Sequence, residues 1–161
     1  MYSRPKIPIK KLIFCFFTSL AVTWVQAACP SITGRFIANG TDVTDNRTGL
    51  IWARCSVGQS WNGSICSGTA ITYTHEQALS YVKSQSGWRL PNVKEISSLT
   101  DKGCSNPAID STLFSNTMPN RYWSSSPYTV NDSSLSWSVY FFDGGVNISN
   151  RNLYQYVRLV R

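Results

Sequence analysis

The feature that most limits what this chain can fold into is the arrangement of its five cysteines. Cys15 lies in an apolar stretch near the N-terminus, and the other four come later in the chain. An even number of cysteines in a short exported domain predicts a framework of disulfides. Of the three possible pairings we favour Cys55–Cys66, which bracket a short Gly/Ser/Asn loop, together with Cys29–Cys104. Each bridge should contribute about 2–4 kcal/mol of stability.

The first 27 residues have the pattern of a secretory signal peptide. A basic segment precedes an apolar stretch from Leu12 to Val25, and Ala27 is the small residue after which we predict cleavage. A membrane anchor is disfavoured, because a spanning helix needs about 20 apolar residues. A lipid anchor on Cys29 is the other alternative, but Gln26 stands where a lipoprotein signal needs an aliphatic residue. The protein is therefore expected to be periplasmic or secreted.

Residues 28–161 are expected to form a single domain with no membrane span. Four of the basic residues lie in the predicted leader, so this part carries 11 Lys and Arg against 8 Asp and Glu, and the net charge falls from +7 to +3. No concentrated Lys/Arg stripe is present, so we predict no nucleic-acid partner. A zinc site is also disfavoured, because there is no CxxC motif and His75 is the only histidine.

The pattern of apolar residues predicts short strands, then two helices, then a small antiparallel β-meander, which is an α+β order. Thr74 with Gln77, and Asn92 with Glu95, have the spacing of capping boxes at the helix starts. The predicted helices cover 75–86 and 93–100. The predicted strands cover 35–37, 43–44, 50–52, 122–125, 136–142, 146–149 and 156–160, and residues 56–72 are expected to form a polar loop.

Two details of this pattern concern buried faces. Ile96 and Leu99 should form the buried side of the second helix. In the last strand, Val157 and Leu159 should face one way, and Tyr156 and Arg158 the other.

Tryptophan is abundant for so small a domain. Most of these rings are expected to fill the core, whereas one or two could line a sugar-binding surface, because aromatic faces stack on sugars. The five in the predicted domain are Trp52, Trp61, Trp88, Trp123 and Trp137.

An ordered series of short motifs resembles the Lcl C-terminal domain family, a bacterial exported domain of largely unknown function. The series covers about residues 35–161. Its blocks are Asp45 to Cys55, Gly58 to Gly63, Gly87 to Ile96, Pro107 to Asp110, Tyr122 to Ser126, and Tyr156 to Arg161.

The resemblance implies a C-type-lectin-like fold, distantly similar to the formylglycine-generating enzymes. It also implies export and, in the collagen-like member of the family, binding of sulfated glycosaminoglycans and host surfaces. This chain has no Gly-X-Y stalk, so nothing in it drives the trimerisation that would multiply weak sites.

Several motif residues are interpreted as structural rather than ligand-binding. Pro91 favours an extended Leu90, Asn92 can cap a helix, and Arg89 is expected to pair with Asp110 or Glu95. Arg158 is expected to be paired in the same way. The structural set is Trp52, Trp88, Arg89, Pro91, Asn92, Glu95, Trp123 and Arg158.

We predict no enzymatic activity and no cofactor. Formylglycine-type oxidation needs a reactive cysteine pair late in the fold, and no cysteine follows Cys104. A serine hydrolase would have to use His75, which is predicted to be exposed on a helix, and there is no Gly-x-Ser-x-Gly elbow. A carboxylate pair remains available from Asp101, Asp110, Asp132 and Asp143.

Calcium is also disfavoured. The sugar-site triplets of calcium-dependent lectins are absent, and Asn131-Asp132 is only a partial match. Loops 126–134 and 143–152 supply only some of the six to eight oxygens that calcium needs.

The remaining function is binding, of a glycan or a surface protein, in an adhesin-like role. The alternative is a structural part of a cell-envelope or fibre complex, with an enzyme as the least favoured class. Loops on a rigid sheet are the usual place for binding. The candidate ligand-binding residues are Arg121, Tyr128, Asn131, Arg151 and Tyr154.

Overall fold

The computed structural model describes residues 34–130 and 132–161. The predicted signal peptide, Asn131 and Cys29 lie outside these residues. Cys104 is disulfide-bonded, but the pairing predicted for it, Cys29–Cys104, lies outside the described residues.

The described chain is α+β, as predicted, with two short helices and largely antiparallel sheets. The elements are β1 (Phe36–Asn39), β2 (Asp42–Asp45), β3 (Ile51–Ala53), β4 (Ser60–Trp61), β5 (Cys66–Ser67), β6 (Thr72–Tyr73), α1 (His75–Lys83), α2 (Val93–Ser98), β7 (Arg121–Pro127), β8 (Leu135–Tyr140), β9 (Gly145–Asn150) and β10 (Gln155–Tyr156).

Three sheets are formed, in the orders β1-β2-β3, β4-β5 and β6-β10-β7-β8-β9. The predicted meander is β7-β8-β9, in which both pairings are antiparallel. Within the part of the chain that the structure describes, the one parallel pairing joins β10 to β7, at Tyr156 and Tyr122. β9 forms one edge of the largest sheet, and the two-residue β6 forms the other.

Both helices begin where the sequence predicts, and each start is a complete capping box. The Thr74 hydroxyl accepts from the Gln77 N–H, and the Gln77 side chain accepts from the Thr74 N–H. Asn92 and Glu95 repeat this exchange. Both helices end earlier than predicted, at Lys83 and Ser98, because the next N–H groups bond three residues back and tighten the last turn.

Neighbouring residues of β7 divide the core into two clusters. Tyr122 packs with Ile96 of α2, whereas Trp123 packs with Ala78 of α1. Successive side chains of a strand point to opposite faces, so the two helices lie on opposite sides of β7. Leu99 is buried with Ile96, as predicted.

Two predictions about the chain's irregular parts were wrong in detail. Residues 56–72 are not a plain loop, because β4 and β5 form a hairpin there, with Trp61 opposite Cys66. Only Gln155–Tyr156 of the predicted last strand forms a regular ladder, and Val160 makes isolated bridges to Trp52 and Arg89. The predicted alternation is nevertheless present, since Val157 and Leu159 lie together in the second core cluster.

The Cys55–Cys66 disulfide is confirmed. The sulfur atoms are 2.07 Å apart and the Cα atoms 5.4 Å apart. The bridge closes the base of the segment that carries the β4–β5 hairpin, and Cys66 is fully buried. The hairpin is therefore covalently held to the body of the domain.

Arg158 is fully buried and, among the described residues, has no carboxylate partner. Its guanidinium donates to the backbone oxygens of Ala53 and Arg54, to Ser56 Oγ, and to Thr117 Oγ1 at 2.7 Å. The rings of Phe114 and Tyr122 also lie beside it, 5.0 and 5.9 Å from its central carbon. The expected ion pair is therefore wrong for Arg158 within the described residues, since its partners are neutral oxygens and aromatic faces.

His75 is buried, with 4% of its surface exposed, so the prediction of an exposed helix residue was wrong. Its Nε2 lies 3.0 Å from both Ser124 O and Ser136 Oγ. A carbonyl oxygen can only accept, so Nε2 carries the hydrogen of the bond to Ser124 O. The ring also packs edge-on against Trp123. The first helical residue therefore points into the sheet and not into solvent.

We expect the free energy of unfolding to fall as the pH drops below about 6.5, the ordinary pKa of histidine. Burial lowers the pKa of His75 in the folded protein, and the nearby Arg151 lowers it further. Below pH 6.5 the unfolded chain therefore binds a proton that the folded chain does not. The free energy of unfolding falls on acidification by at most about 1.4 kcal/mol per pH unit.

Urea unfolding at intervals from pH 7.5 to 5 would measure this slope. His75→Gln is the control, because an amide can donate to Ser124 O but does not titrate. As His75 is the only histidine, the variant should lose the slope; an unchanged slope would contradict the assignment.

Candidate functional site

A cleft lined by three aromatic rings lies between the β4–β5 hairpin and α1. We call it the tryptophan groove; its volume is about 360 Å³. Its principal lining residues are Asp42, Gln59, Trp61, Tyr81, Gln85 and Trp88, with the backbone of residues 55–58 beneath them.

Each aromatic wall is placed by a different element. Trp61 belongs to β4, Tyr81 lies on α1, and Trp88 follows α1, where Arg89 exchanges two backbone hydrogen bonds with Val160. All three rings are only partly buried. Aromatic faces thus line a cleft that solvent and ligands can reach.

Guanidinium groups support both tryptophans. The central carbon of Arg54 lies 3.5 Å from the ring centroid of Trp61, and that of Arg161 lies 4.5 Å from the centroid of Trp88. Arg161 also pairs with Asp42. Such cation–π contacts fix the orientation of a ring that would otherwise move at the surface.

The floor of the groove has no room for a side chain at Gly58. Its φ of +93° favours glycine, and a Cβ placed there would lie 2.5 Å from Thr69 O and 2.6 Å from a side-chain carbon of Ile71. The close approach of these two chain segments keeps the floor flat between the aromatic walls.

The groove wall contains an unsatisfied polar atom. Gln59 donates its amide N–H to Asn116 O at 3.2 Å, but its Oε1 is buried and has no hydrogen-bond partner among the described residues. A buried acceptor without a partner is costly, and a donor entering the groove would relieve that cost after a small side-chain movement.

The structure places two of the predicted ligand residues together and a third apart from them. The Tyr128 N–H and Arg151 Nε both donate to Leu135 O, whereas Arg121 is distant from Tyr128. Arg121 and Tyr128 lie at or beyond opposite ends of β7, about 20 Å apart at the ordinary rise of a strand. Arg121 packs over Tyr140, and Tyr128 packs edge-on against Trp137.

The other predicted ligand residues differ in exposure. Tyr154 is 64% exposed. Arg151 donates through Nε to Leu135 O at 3.1 Å and lines a separate cleft with Thr74 and His75. Asn131 lies outside the described residues. A ligand site in these loops remains a prediction.

The structural interpretation of the Arg89–Glu95 block agrees with the contacts. Arg89 makes a two-pronged ion pair with Glu95, with both N–O distances 2.7 Å, so of the two predicted partners Glu95 is correct. This pair lowers the pKa of Glu95. Pro91 is buried, and its carbonyl accepts from the Ser125 N–H.

Tryptophans of the predicted structural set occupy different environments. Trp52 and Trp123 are fully buried, whereas Trp88 lines the groove. Trp61, in the hairpin, and Trp137, on β8, are the other partly exposed rings.

The four aspartates from which a catalytic pair could be drawn are each hydrogen-bonded within their own turn. Each accepts a hydrogen bond from the backbone N–H two residues later, which is the geometry of an Asx-turn. The pairs are Asp101 with Gly103, Asp110 with Thr112, Asp132 with Ser134, and Asp143 with Gly145.

Within residues 34–130 and 132–161, no three His, Cys, Asp or Glu side chains cluster as a metal site would require. Neither described helix is long and apolar enough to cross a bilayer.

The sequence predicts one or two tryptophans at a sugar-binding surface but does not indicate which of the five they are. A usable signal was present for Trp61, which lies in a short polar segment between two bridged cysteines, where no core can cover it. Tyr81 and Gln85 are four residues apart and thus on one side of α1 and its continuation. Nothing local indicated that these segments would meet.

The comparison with protein families agrees with the motif series. The model of the Lcl C-terminal domain matches residues 41–161, well over half of the chain. No curated protein matches the chain significantly. The matched region contains the hairpin, both helices, the five-stranded sheet and all six principal lining residues of the groove. The chain therefore belongs to the Lcl C-terminal domain family.

Proposed function

We propose that this chain is an exported, non-catalytic module that recognises glycans through the tryptophan groove. The observation that carries the proposal is the convergence of Trp61, Tyr81 and Trp88 on one accessible cleft. Sugar rings present C–H faces that pack on aromatic rings, and their hydroxyls bond to amides and carboxylates placed around those rings.

Polar groups of the groove suit the hydroxyls of a sugar. Gln59 offers an acceptor without a partner, and Gln85 and Asp42 lie on the same lining. Among the described residues that line the groove, Asp42 is the only charged one, and Arg161 neutralises it. The groove itself therefore favours uncharged saccharides, bound by stacking and hydrogen bonds.

The fold and location that accompany this function are part of the same proposal. A C-type-lectin-like fold is supported by the antiparallel meander with helices on both sides of β7 and by the return of the last residues to β3, through Val160 and Trp52. Export is supported by the leader pattern and by a disulfide at the base of the groove.

The test is binding of the purified, oxidised protein to a broad glycan array at low and physiological salt. We expect saturable binding that changes little with salt and falls at least tenfold in Trp61→Ala, because a lost stacking contact and its buried area are worth more than about 1.4 kcal/mol.

Tyr154→Ala and Arg151→Ala are matched controls from the loops of the last third. If binding is lost in these variants and kept in Trp61→Ala, the glycan binds at the loops and not in the groove. Binding of sulfated glycans that weakens steeply with salt would indicate a site governed by arginine charge. Failure to bind any glycan would favour the structural or assembly role instead.

A further inference from the structure

The outer edge of the five-stranded sheet is an exposed strand without the usual protection. β9 is six residues long, and no charged residue or proline lies within Gly145–Asn150. Sheet edges in soluble proteins are commonly short, or carry lysine, proline or a bulge, because a free edge pairs with other strands. The opposite edge, β6, has two residues.

Two apolar side chains of β9 remain exposed on one face. Val146 is 48% exposed and Ile148 is 42% exposed. They pair with Val139 and Trp137 of β8, so both lie on the same side of the sheet. Half-exposed apolar residues beside an open edge would be covered by a further strand.

The backbone at these two positions is free to pair. Arg151 donates its N–H to Ser134 O, which continues the β8–β9 register. Alternate residues of an antiparallel strand point their backbone groups to opposite sides. Residues 145, 147 and 149 therefore bond to β8, and Val146 and Ile148 direct their N–H and C=O groups outward.

We propose that two copies of this chain pair through β9, antiparallel, with Asn147 on the two-fold axis. In this register Val146 of each copy lies opposite Ile148 of the other. The strand is thus complementary to its own reversed copy in apolar surface and in backbone bonding.

The consequence is a continuous ten-stranded sheet with two tryptophan grooves on one particle. The pairing does not depend on glycan recognition, but it would present two grooves to a multivalent ligand and so raise the avidity of weak sites. A pairing of six residues is small, so the dimer should be weak and concentration-dependent.

Sedimentation equilibrium over roughly 1 to 200 µM, a range that covers weak association, measures the dimer of the oxidised protein. Ile148→Lys should shift the dissociation constant at least tenfold upward, because it places a charge against apolar surface. Ile37→Lys is the matched control: Ile37 is 55% exposed on β1, the edge of another sheet, and this variant should dimerise normally. A wild-type protein that is monomeric throughout, or a dimer lost only in Ile37→Lys, would overturn the proposal.

Cysteine substitution tests the register and does not depend on how Ile148→Lys folds. Asn147→Cys should form a covalent dimer on mild oxidation, because residues facing each other across the axis without mutual hydrogen bonds have Cα atoms about 4.5 Å apart, within disulfide range. Ile148→Cys should form little, because it faces Val146. The reverse result would place the axis at Ile148 and reject the proposed register.

Discussion

Arg158→Met is expected to lower the free energy of unfolding by about 3–5 kcal/mol, because several buried acceptors lose their donor at once and each unsatisfied group costs about 1–3 kcal/mol. Methionine fills most of the volume but donates nothing. The backbone oxygens of Ala53 and Arg54 and the hydroxyl of Thr117 would each lose a donor inside the protein. Urea unfolding followed by circular dichroism measures the change.

The control for this prediction is Arg89→Met, because Arg89 makes a well-formed ion pair but its side chain is 48% exposed. Exposed pairs contribute about 0–1 kcal/mol, so this variant should stay near wild type. If Arg158→Met were as stable as the wild type, the buried guanidinium would be dispensable, and good packing of methionine would have replaced its hydrogen bonds.

Trp123→Ala is expected to cost a similar amount, about 3–5 kcal/mol, mainly through the cavity it leaves. Trp123 is fully buried on the α1 side of β7. Its indole N–H donates to Tyr73 O at 2.8 Å, and its ring contacts His75. The variant removes the largest side chain of that cluster and leaves a buried carbonyl without its donor.

Trp123→Phe separates the two contributions, because phenylalanine keeps most of the volume and loses the N–H. We expect a loss of about 1–2 kcal/mol for this change. Thermal melting of both variants beside Trp137→Ala, whose ring is only partly buried, should rank Trp123→Ala as the least stable. Equal melting temperatures for Trp123→Ala and Trp137→Ala would contradict the division of the core described here.

Local signals were sufficient for part of this fold. The two capping boxes involve residues three apart, and the Cys55–Cys66 bridge closes a separation of 11 residues, so composition and spacing predicted them correctly. His75 shows where such reasoning fails. A helix start can be identified from its cap, but the side of its first turn that meets the sheet depends on how the helix packs.

Long-range contacts account for the rest. The hydrogen bonds of Arg158 join residues 41 to 105 positions apart, so no neighbouring residue could reveal them. The groove is equally non-local, since β2, the hairpin and α1 each contribute to it. The sequence indicates that some tryptophans lie at a surface. Only the packing shows that Trp61 and Trp88 line the groove.

The Cys55–Cys66 disulfide separates the hairpin, which would select a ligand, from the core clusters, which stabilise the fold. Both core clusters lie outside residues 58–65, and the ends of this segment are held by the Cys55–Cys66 bond whatever lies between them. Lengthening such a loop costs little conformational entropy. The hairpin can therefore diverge in length and composition between relatives, and so change what is recognised, without any compensating change in the sheet.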